Sequence, residues 1–260
     1  MWYTASNGVN ARIYYATSSD GLTWTKVNNN IPTGNCDSSI NHNTPCSYGD
    51  GRLSLGSSGM ADSNSVSVGN VIKDGDIYKM WYTANNGTYS TIAYAYSNDG
   101  LTWVKYDNTI PTISDYYGTN GRLSKGNTGT AESNYVNGPF VIKDSSVYKM
   151  WYVGQDGNYS YVLYATSLDG INWTKFDNTK PAVSDSSNTN GRIGNGTSSK
   201  SDTSKIFSPS VLVDNGIYRI WYQGSSTGST VYRITYASMS SLPYTQKTDS
   251  TLKIEGAGSE

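Results

Sequence analysis

The sequence predicts an all-β chain, a β-propeller of four-stranded antiparallel blades, on three observations. A tryptophan recurs in one short phrase: MWYTA ending at Ala5, KMWYTA at Ala84, KMWYVG at Gly154 and RIWYQG at Gly224, with Trp81, Trp151 and Trp221 spaced by 70 residues. Around each phrase, apolar and polar residues alternate over five to eight positions, the period of half-buried strands. Between the runs stand Asp-Gly and Asn-Gly pairs such as Asp74-Gly75, Asp99-Gly100 and Asn215-Gly216, which supply the positive φ of tight hairpins. No segment shows a sustained helical period.

Each repeat is then built in order. An inner run leads into the tryptophan phrase, as in VGNVIKDGDIYKMWY, GPFVIKDSSVYKMWY and SPSVLVDNGIYRIWY. A third run follows (ARIYYATS, TIAYAYS, YVLYATS, YRITYAS), then a turn with an aromatic (SSDGLTW, SNDGLTW, SLDGINW, SMSSLPY) that opens the outer strand. A unit of four short strands cannot bury both faces alone and stacks on its neighbours around an axis. Repeats of about 70 residues, near 1–50, 51–120, 121–190 and 191–260, predict one domain over 1–260. Trp2, Trp81, Trp151 and Trp221 are expected to be packing residues.

Met1 aligns with Met80 and Met150, so the first visible blade opens at its second strand. The expectation is either a fragment of a longer secreted chain or a ring closed by the other end. LKIEG at Leu252–Gly256 matches VIKDG at Val71–Gly75 and would complete a four-bladed ring; otherwise the repeats form part of a five-bladed propeller.

Composition narrows the function. Charged residues make up 15%, the net charge is −1 and mean hydropathy is −0.53. No electrostatic footprint for nucleic acid is present, and no apolar run approaches the ~20 residues of a membrane span. Neither a metal nor a cofactor is called for. Twenty-three tyrosines against three phenylalanines suit strands that are apolar along the ring and wet at the hydroxyl.

The interval from Pro32 to Gly51 is longer by nine residues than its counterparts from Pro111 and Pro181, and Cys36 and Cys46 lie inside the insertion. They read as a disulfide clip and imply an oxidising, extracellular or cell-surface setting. The competing reading, metal ligation with His42, has too few ligands at regular spacing. Sequons at Asn86, Asn158, Asn172 and Asn195 are compatible with that setting.

The phrases VIKDGDIYKMWYTA and IAYAYSNDGLTW, with their copies, resemble the five-bladed β-propeller glycosidase-like clan of arabinanases, β-xylosidases, fructosidases and mannoside phosphorylases. The resemblance covers nearly the whole chain. The SxDGxxW turn also resembles the Asp-box of sialidase propellers with one residue fewer. Asp20, Asp99 and Asp169 are read there as turn-formers that accept backbone N–H groups, with Trp24, Trp103 and Trp173 packing between blades.

Just ahead of the inner strands, Asp62, Glu132 and Asp202 recur in register at intervals of 70. In the resembling clan, acidic residues on successive blades act as base or nucleophile, as pKa modulator and as general acid. The resemblance implies Glu132 as the acid, with Asp62 and Asp202 its partners. Carboxyl separation would set the outcome, about 5 Å for retention and roughly 6.5–9.5 Å for inversion. The same residues have a structural reading, because Arg52, Arg122 and Arg192 repeat in step with them and an arginine–carboxylate pair would pin the long connection to its blade. Blades that have stayed alike also argue against differentiated catalytic roles.

A third reading makes this face a lectin. Asn64, Asn134, Tyr135 and Phe207, the three arginines, and Tyr116 and Tyr117 on a preceding connection offer the flat rings and planar groups that hold sugars. The functional expectation is an extracellular, carbohydrate-binding, glycosidase-like propeller with carbohydrate or glycan as partner. The alternatives are a secreted glycoside hydrolase and a structural or adhesion module of a larger surface, filament or virion protein, capable of self-assembly through exposed edges.

Overall fold

The structure, a computed structural model, describes residues 1–28, 30, 50–184, 187–189, 191–240 and 253–255, with only the backbone considered for 187–189, 240 and 253–255. Cys36, Cys46 and His42 lie outside the described residues. Strands alone make up the regular structure, and no helix long and apolar enough to cross a membrane is present among the described residues.

The strands fall into four antiparallel sheets, one per repeat. β1 (Trp2–Ser6), β2 (Ala11–Thr17) and β3 (Thr25–Lys26) form the first sheet, in the order β1-β2-β3. β4 (Ser65–Asp74), β5 (Ile77–Asn85), β6 (Ser90–Ser97) and β7 (Val104–Lys105) form the second, in simple meander order. The third holds β8 (Tyr117–Gly118), β9 (Tyr135–Asp144), β10 (Val147–Gln155), β11 (Ser160–Ser167) and β12 (Trp173–Lys175), ordered β8-β12-β11-β10-β9. The fourth repeats that pattern with β13 (Ser187–Thr189), β14 (Lys205–Asp214), β15 (Ile217–Ser225), β16 (Tyr232–Ser240) and β17 (Lys253–Glu255), ordered β13-β17-β16-β15-β14.

β17 corrects the ring-closure expectation for LKIEG. It pairs with β16 (Ser238 opposite Glu255) and with β13, as the outer strand that follows β16 in the fourth sheet and not beside β1. A short apolar–charged alternation satisfies an outer strand as well as an inner one, and the sheet with an unfilled outer position is the one nearest in sequence.

The hairpins obey their turn chemistry. Asn215 and Gly216 join β14 to β15 with φ of 50° and 78°, the two positive values of a type I′ turn. Each inner strand carries a bulge, between Val68 and Asn70, opposite Trp151 and Val153, and between Phe207 and Ser210. The bulges are where sheets meet. A Cβ on Gly69 would lie 2.1 Å from the Pro139 carbonyl oxygen, so only glycine permits that approach. One residue on, Asn70 donates from Nδ2 to the Val141 carbonyl at 2.6 Å and accepts from the Val141 N–H at 2.8 Å.

The core lies between sheets. Three clusters fill the three successive interfaces, around Met80 and Trp103, around Trp81 and Trp173, and around Trp151 and Ile220. The tryptophan of one repeat packs edge-on against the turn tryptophan of the next, Trp2 on Trp103 at 5.6 Å and Trp81 on Trp173 at 6.1 Å. Trp81 also donates from Nε1 to the Gly170 carbonyl at 3.0 Å. Two members of the expected packing set depart from it: Trp24 is 43% exposed and Trp221 36%, because each sits on a terminal sheet face that no adjacent sheet covers among the described residues.

Candidate functional site

Because strands alternate in direction, the turns after the first and third strands of a sheet lie at one end. The hairpin between its second and third strands lies with the long inter-repeat connection at the other end.

At the first end are the Asp-Gly turns, and all three aspartates form their turns alike. Asp20 Oδ1 accepts the N–H groups of Leu22 and Thr23, both at 2.8 Å. Asp99 accepts those of Leu101 and Thr102 at 2.7 and 2.6 Å, and Asp169 those of Ile171 and Asn172 at 2.8 and 2.7 Å. The Thr23 and Thr102 N–H groups lead in holding Asp20 and Asp99 down at about 2. At Asp169 burial pushes upward, and the Asn172 and Ile171 N–H groups outweigh it to give about 2.

The second end is built from the Gly-Arg phrase. Gly51, Gly121 and Gly191 have φ of 80°, 72° and 69°, and a Cβ on each would press within 2.7 Å of the ring carbons or Cβ of Tyr15, Tyr94 or Tyr164. The residue after each arginine bridges back to the preceding sheet, Leu53 to Ile13, Leu123 to Ile92 and Ile193 to Val162. Arg122 pairs with Asp107 at 3.1 Å and Arg192 with Asp177 at 2.8 Å, while Arg52 pairs with Asp50 at 2.7 Å. The first repeat has exchanged its residues: Asn28 and Asp50 stand where later repeats have Asp107 with Asn120 and Asp177 with Asn190. The arginines therefore do pin the connections, but to these aspartates and not to Asp62, Glu132 or Asp202 as expected.

Each of the three in-register acids is held by a tyrosine of its own repeat, and Asp62 and Glu132 by a lysine and an asparagine as well. Asp62, fully buried, meets Lys105 Nζ at 2.5 Å, Tyr82 Oη at 3.3 Å and Asn108 Nδ2 at 2.9 Å. Glu132, also fully buried, meets Lys175 Nζ at 2.6 Å and Tyr152 Oη at 3.0 Å. Asp202 is 8% exposed and accepts from Tyr222 Oη at 2.9 Å. Burial raises the Glu132 carboxyl above its ordinary range while the Lys175 ammonium pulls it back. Burial likewise lowers Lys175 against the pull of Glu132. Each acid joins the entry of its inner strand to a second-strand tyrosine, and Lys105 and Lys175 carry the first two of these joints to the outer strand as well.

The lectin candidates are spread over separate repeats. Asn64 donates to Asn85 Oδ1 at 3.2 Å, exposed Asn134 bonds through its N–H to the Gln155 carbonyl at 2.8 Å, and half-buried Phe207 lies 6.1 Å from the Tyr232 ring. Burial raises the Tyr135 hydroxyl, against a hydrogen bond with Gln155. Tyr116 and Tyr117 form an exposed pair, 6.4 Å between rings.

A feature absent from the sequence reading is a cleft of about 510 Å³ at this end, between the β10–β11 hairpin, the connection that follows β12 and the β15–β16 hairpin. Tyr159, Tyr161, Pro181, Asn195, Thr203 and Thr227 line it. The available signal was one substitution in register, Leu55 and Lys125 in earlier repeats against Asn195 here.

With this geometry in view, solved structures give the fold. A putative glycosidase from Bacteroides thetaiotaomicron superposes with a TM-score of 0.53 at 16% identity, over 92% of this chain and 64% of that one. A β-1,2-mannobiose phosphorylase from Listeria innocua, in complex with β-1,2-mannobiose, gives 0.53 at 13% identity, over 89% of this chain and 50% of that one. An endo-1,4-β-xylanase from Bacteroides thetaiotaomicron gives 0.51 at 14% identity, over 96% and 68%. The chain shares the fold of the propeller glycosidases. No family model matches it. Among curated proteins, an uncharacterized protein of Mycobacterium tuberculosis is 27% identical over 192 residues, 69% of this chain and 54% of its own length. The chain thus spans about half the length of the curated relatives it matches.

Proposed function

We propose that this chain is an extracellular, carbohydrate-binding propeller of the glycosidase type in which Asp62, Glu132 and Asp202 are structural and not catalytic. The observation that carries the reading is the enclosure of these acids. Glycoside hydrolysis needs a carboxyl that reaches the glycosidic oxygen and another that reaches the anomeric carbon or a water. Asp62 and Glu132, fully buried and neutralised by Lys105 and Lys175, reach neither, and Asp202, 8% exposed, is engaged by the Tyr222 hydroxyl. Carbohydrate is the ligand class because the solved structures of this fold include an endo-1,4-β-xylanase and a phosphorylase holding mannobiose. The extracellular setting rests on Cys36 and Cys46 in their insertion.

A second reading, hydrolysis with Glu132 as general acid, draws on one observation, the carboxyl raised by burial. Incubation of the chain with aryl glycosides and neutral oligosaccharides separates the two. The proposal expects saccharide binding without turnover. Turnover that Glu132→Gln abolishes would establish the hydrolase instead.

A further inference from the structure

We infer that the cleft between the third and fourth repeats is a binding site for a neutral oligosaccharide; the inference rests on the carbohydrate-binding reading and gives it a location. The volume, about 510 Å³, falls within the ~300–1,000 Å³ of small-molecule sites. Its lining consists of tyrosine, proline, valine, asparagine, glycine, serine and threonine, with no acidic or basic side chain. Such a wall offers serine and threonine hydroxyls and the exposed ring of Tyr159, the groups that match a neutral polyol. The lining itself carries no counter-charge to offset the desolvation of a phosphate, a carboxylate or an ammonium, and the adjacent Lys180 and Asp156 are already paired with each other.

The cleft is held open by bonds already made. Asn195 Nδ2 donates to the Ser160 and Asp202 carbonyls, both at 3.2 Å, and the Ser160 N–H donates to the Ser204 carbonyl at 3.3 Å. The Thr227 N–H donates to Thr203 Oγ1 at 3.1 Å. At the base of the hairpin, Lys180 pairs with Asp156 at 2.7 Å and Tyr161 Oη bonds the same carboxylate at 3.2 Å, which fixes the hairpin that carries Tyr159. A wall set before binding lowers the ordering cost of a ligand.

The residues at the same register in the earlier repeats differ. Tyr89 stands at the register of Tyr159, and Lys125 at that of Asn195. There the lysine lies over the ring, Nζ at 5.5 Å from its centroid, and takes the face that a sugar would use. In the first repeat the same two positions are Asn10 and Leu55, with no ring to offer. Among the described residues, only the third and fourth repeats set an exposed tyrosine, Tyr159 at 43%, and a short neutral residue, Asn195, at these two positions.

The test is calorimetric titration of the full 260-residue chain with maltotriose, xylotriose, arabinotriose, β-1,2-mannotriose and N-acetylchitotriose, with trigalacturonate as the charged comparison. At least one neutral trisaccharide is expected to bind and trigalacturonate is not. Tyr159→Ala, at an exposed position, should weaken binding about tenfold, and Tyr89→Ala should leave it unchanged. Asn195→Lys should abolish it by installing the lysine of the occluded pair; if that variant does not fold, Tyr159→Ala decides. Binding unaltered by Tyr159→Ala would overturn this site and leave the carbohydrate reading standing. Absence of binding by the unaltered chain to every trisaccharide would overturn both, and binding of trigalacturonate in competition with the neutral sugar would overturn the ligand class.

Discussion

In the second and third repeats, Trp103 and Trp173 are buried in an interface and Lys105 and Lys175 are closed inside a sheet. In the first repeat the residues at the same register, Trp24 and Lys26, stand exposed. The phrases are nearly the same, DGLTWTK against DGLTWVK and DGINWTK, so the difference comes from the surroundings. Trp103 is buried because Trp2 comes to it from the preceding sheet, and Lys105 because Asp62 neutralises it from the same repeat. A repeated residue here has no fixed role; its neighbour assigns one. For Asp62 and Glu132 the neighbour is a buried lysine, so their regular spacing marks a joint of the blade.

The largest way to break this contrast is at the buried joints. Trp81→Ala should lower the unfolding free energy by ~3–5 kcal/mol, as for other fully buried indoles. Lys175→Met should cost a similar ~3–5 kcal/mol by leaving Glu132 buried without its counter-charge. Both are measured by denaturant unfolding, and a loss below about 1 kcal/mol in either would contradict the packing described.

A smaller effect tests the exchanged pair. Asp50→Asn should cost ~1–3 kcal/mol because Arg52, nearly enclosed, loses its charged acceptor. Adding Asn28→Asp rebuilds the arrangement of Arg122 with Asp107 and should bring stability back toward the starting value, a coupling that a double-mutant cycle reads directly. Full additivity of the two changes would mean that the registers are not equivalent.

Below that come the turn aspartates. Their carboxyls are held at about 2, beneath the ordinary 3.8, so the stability they supply is complete above about pH 4 and is lost as pH falls toward 2. Asp99→Asn should flatten part of that acid slope in unfolding measured across this window. Smallest of all, Trp24→Ala should change stability by less than ~1 kcal/mol, the counterpart to Trp81→Ala that completes the comparison.

The sequence revealed the sheets well and their joints less well. Trp81, Trp151 and Trp221 served as a ruler because the same strand position recurs once per repeat, buried at Trp81 and Trp151, and the aspartate turns were legible because Asp99 bonds only two and three residues ahead. The lysine partner of Glu132 lies 43 residues away, where no local pattern announces it. Yet Lys105 and Lys175 carry the same 70-residue interval as the acids, and that was the usable signal. Arg122 repeats just as faithfully, which made it the more visible but mistaken partner. LKIEG misled because alternation in so short a run fits an inner or an outer strand of a sheet equally well. The Tyr159 cleft was hidden because it arises from one substitution, Lys125 to Asn195, within a pattern otherwise maintained.

The measurement that bears most directly on the role of the acids is Glu132→Gln, followed by thermal unfolding and by aryl-glycoside turnover on the same preparations. A structural Glu132 predicts a clear fall in Tm, with no turnover in either protein. An unchanged Tm together with turnover in the unaltered chain that the substitution abolishes would contradict it.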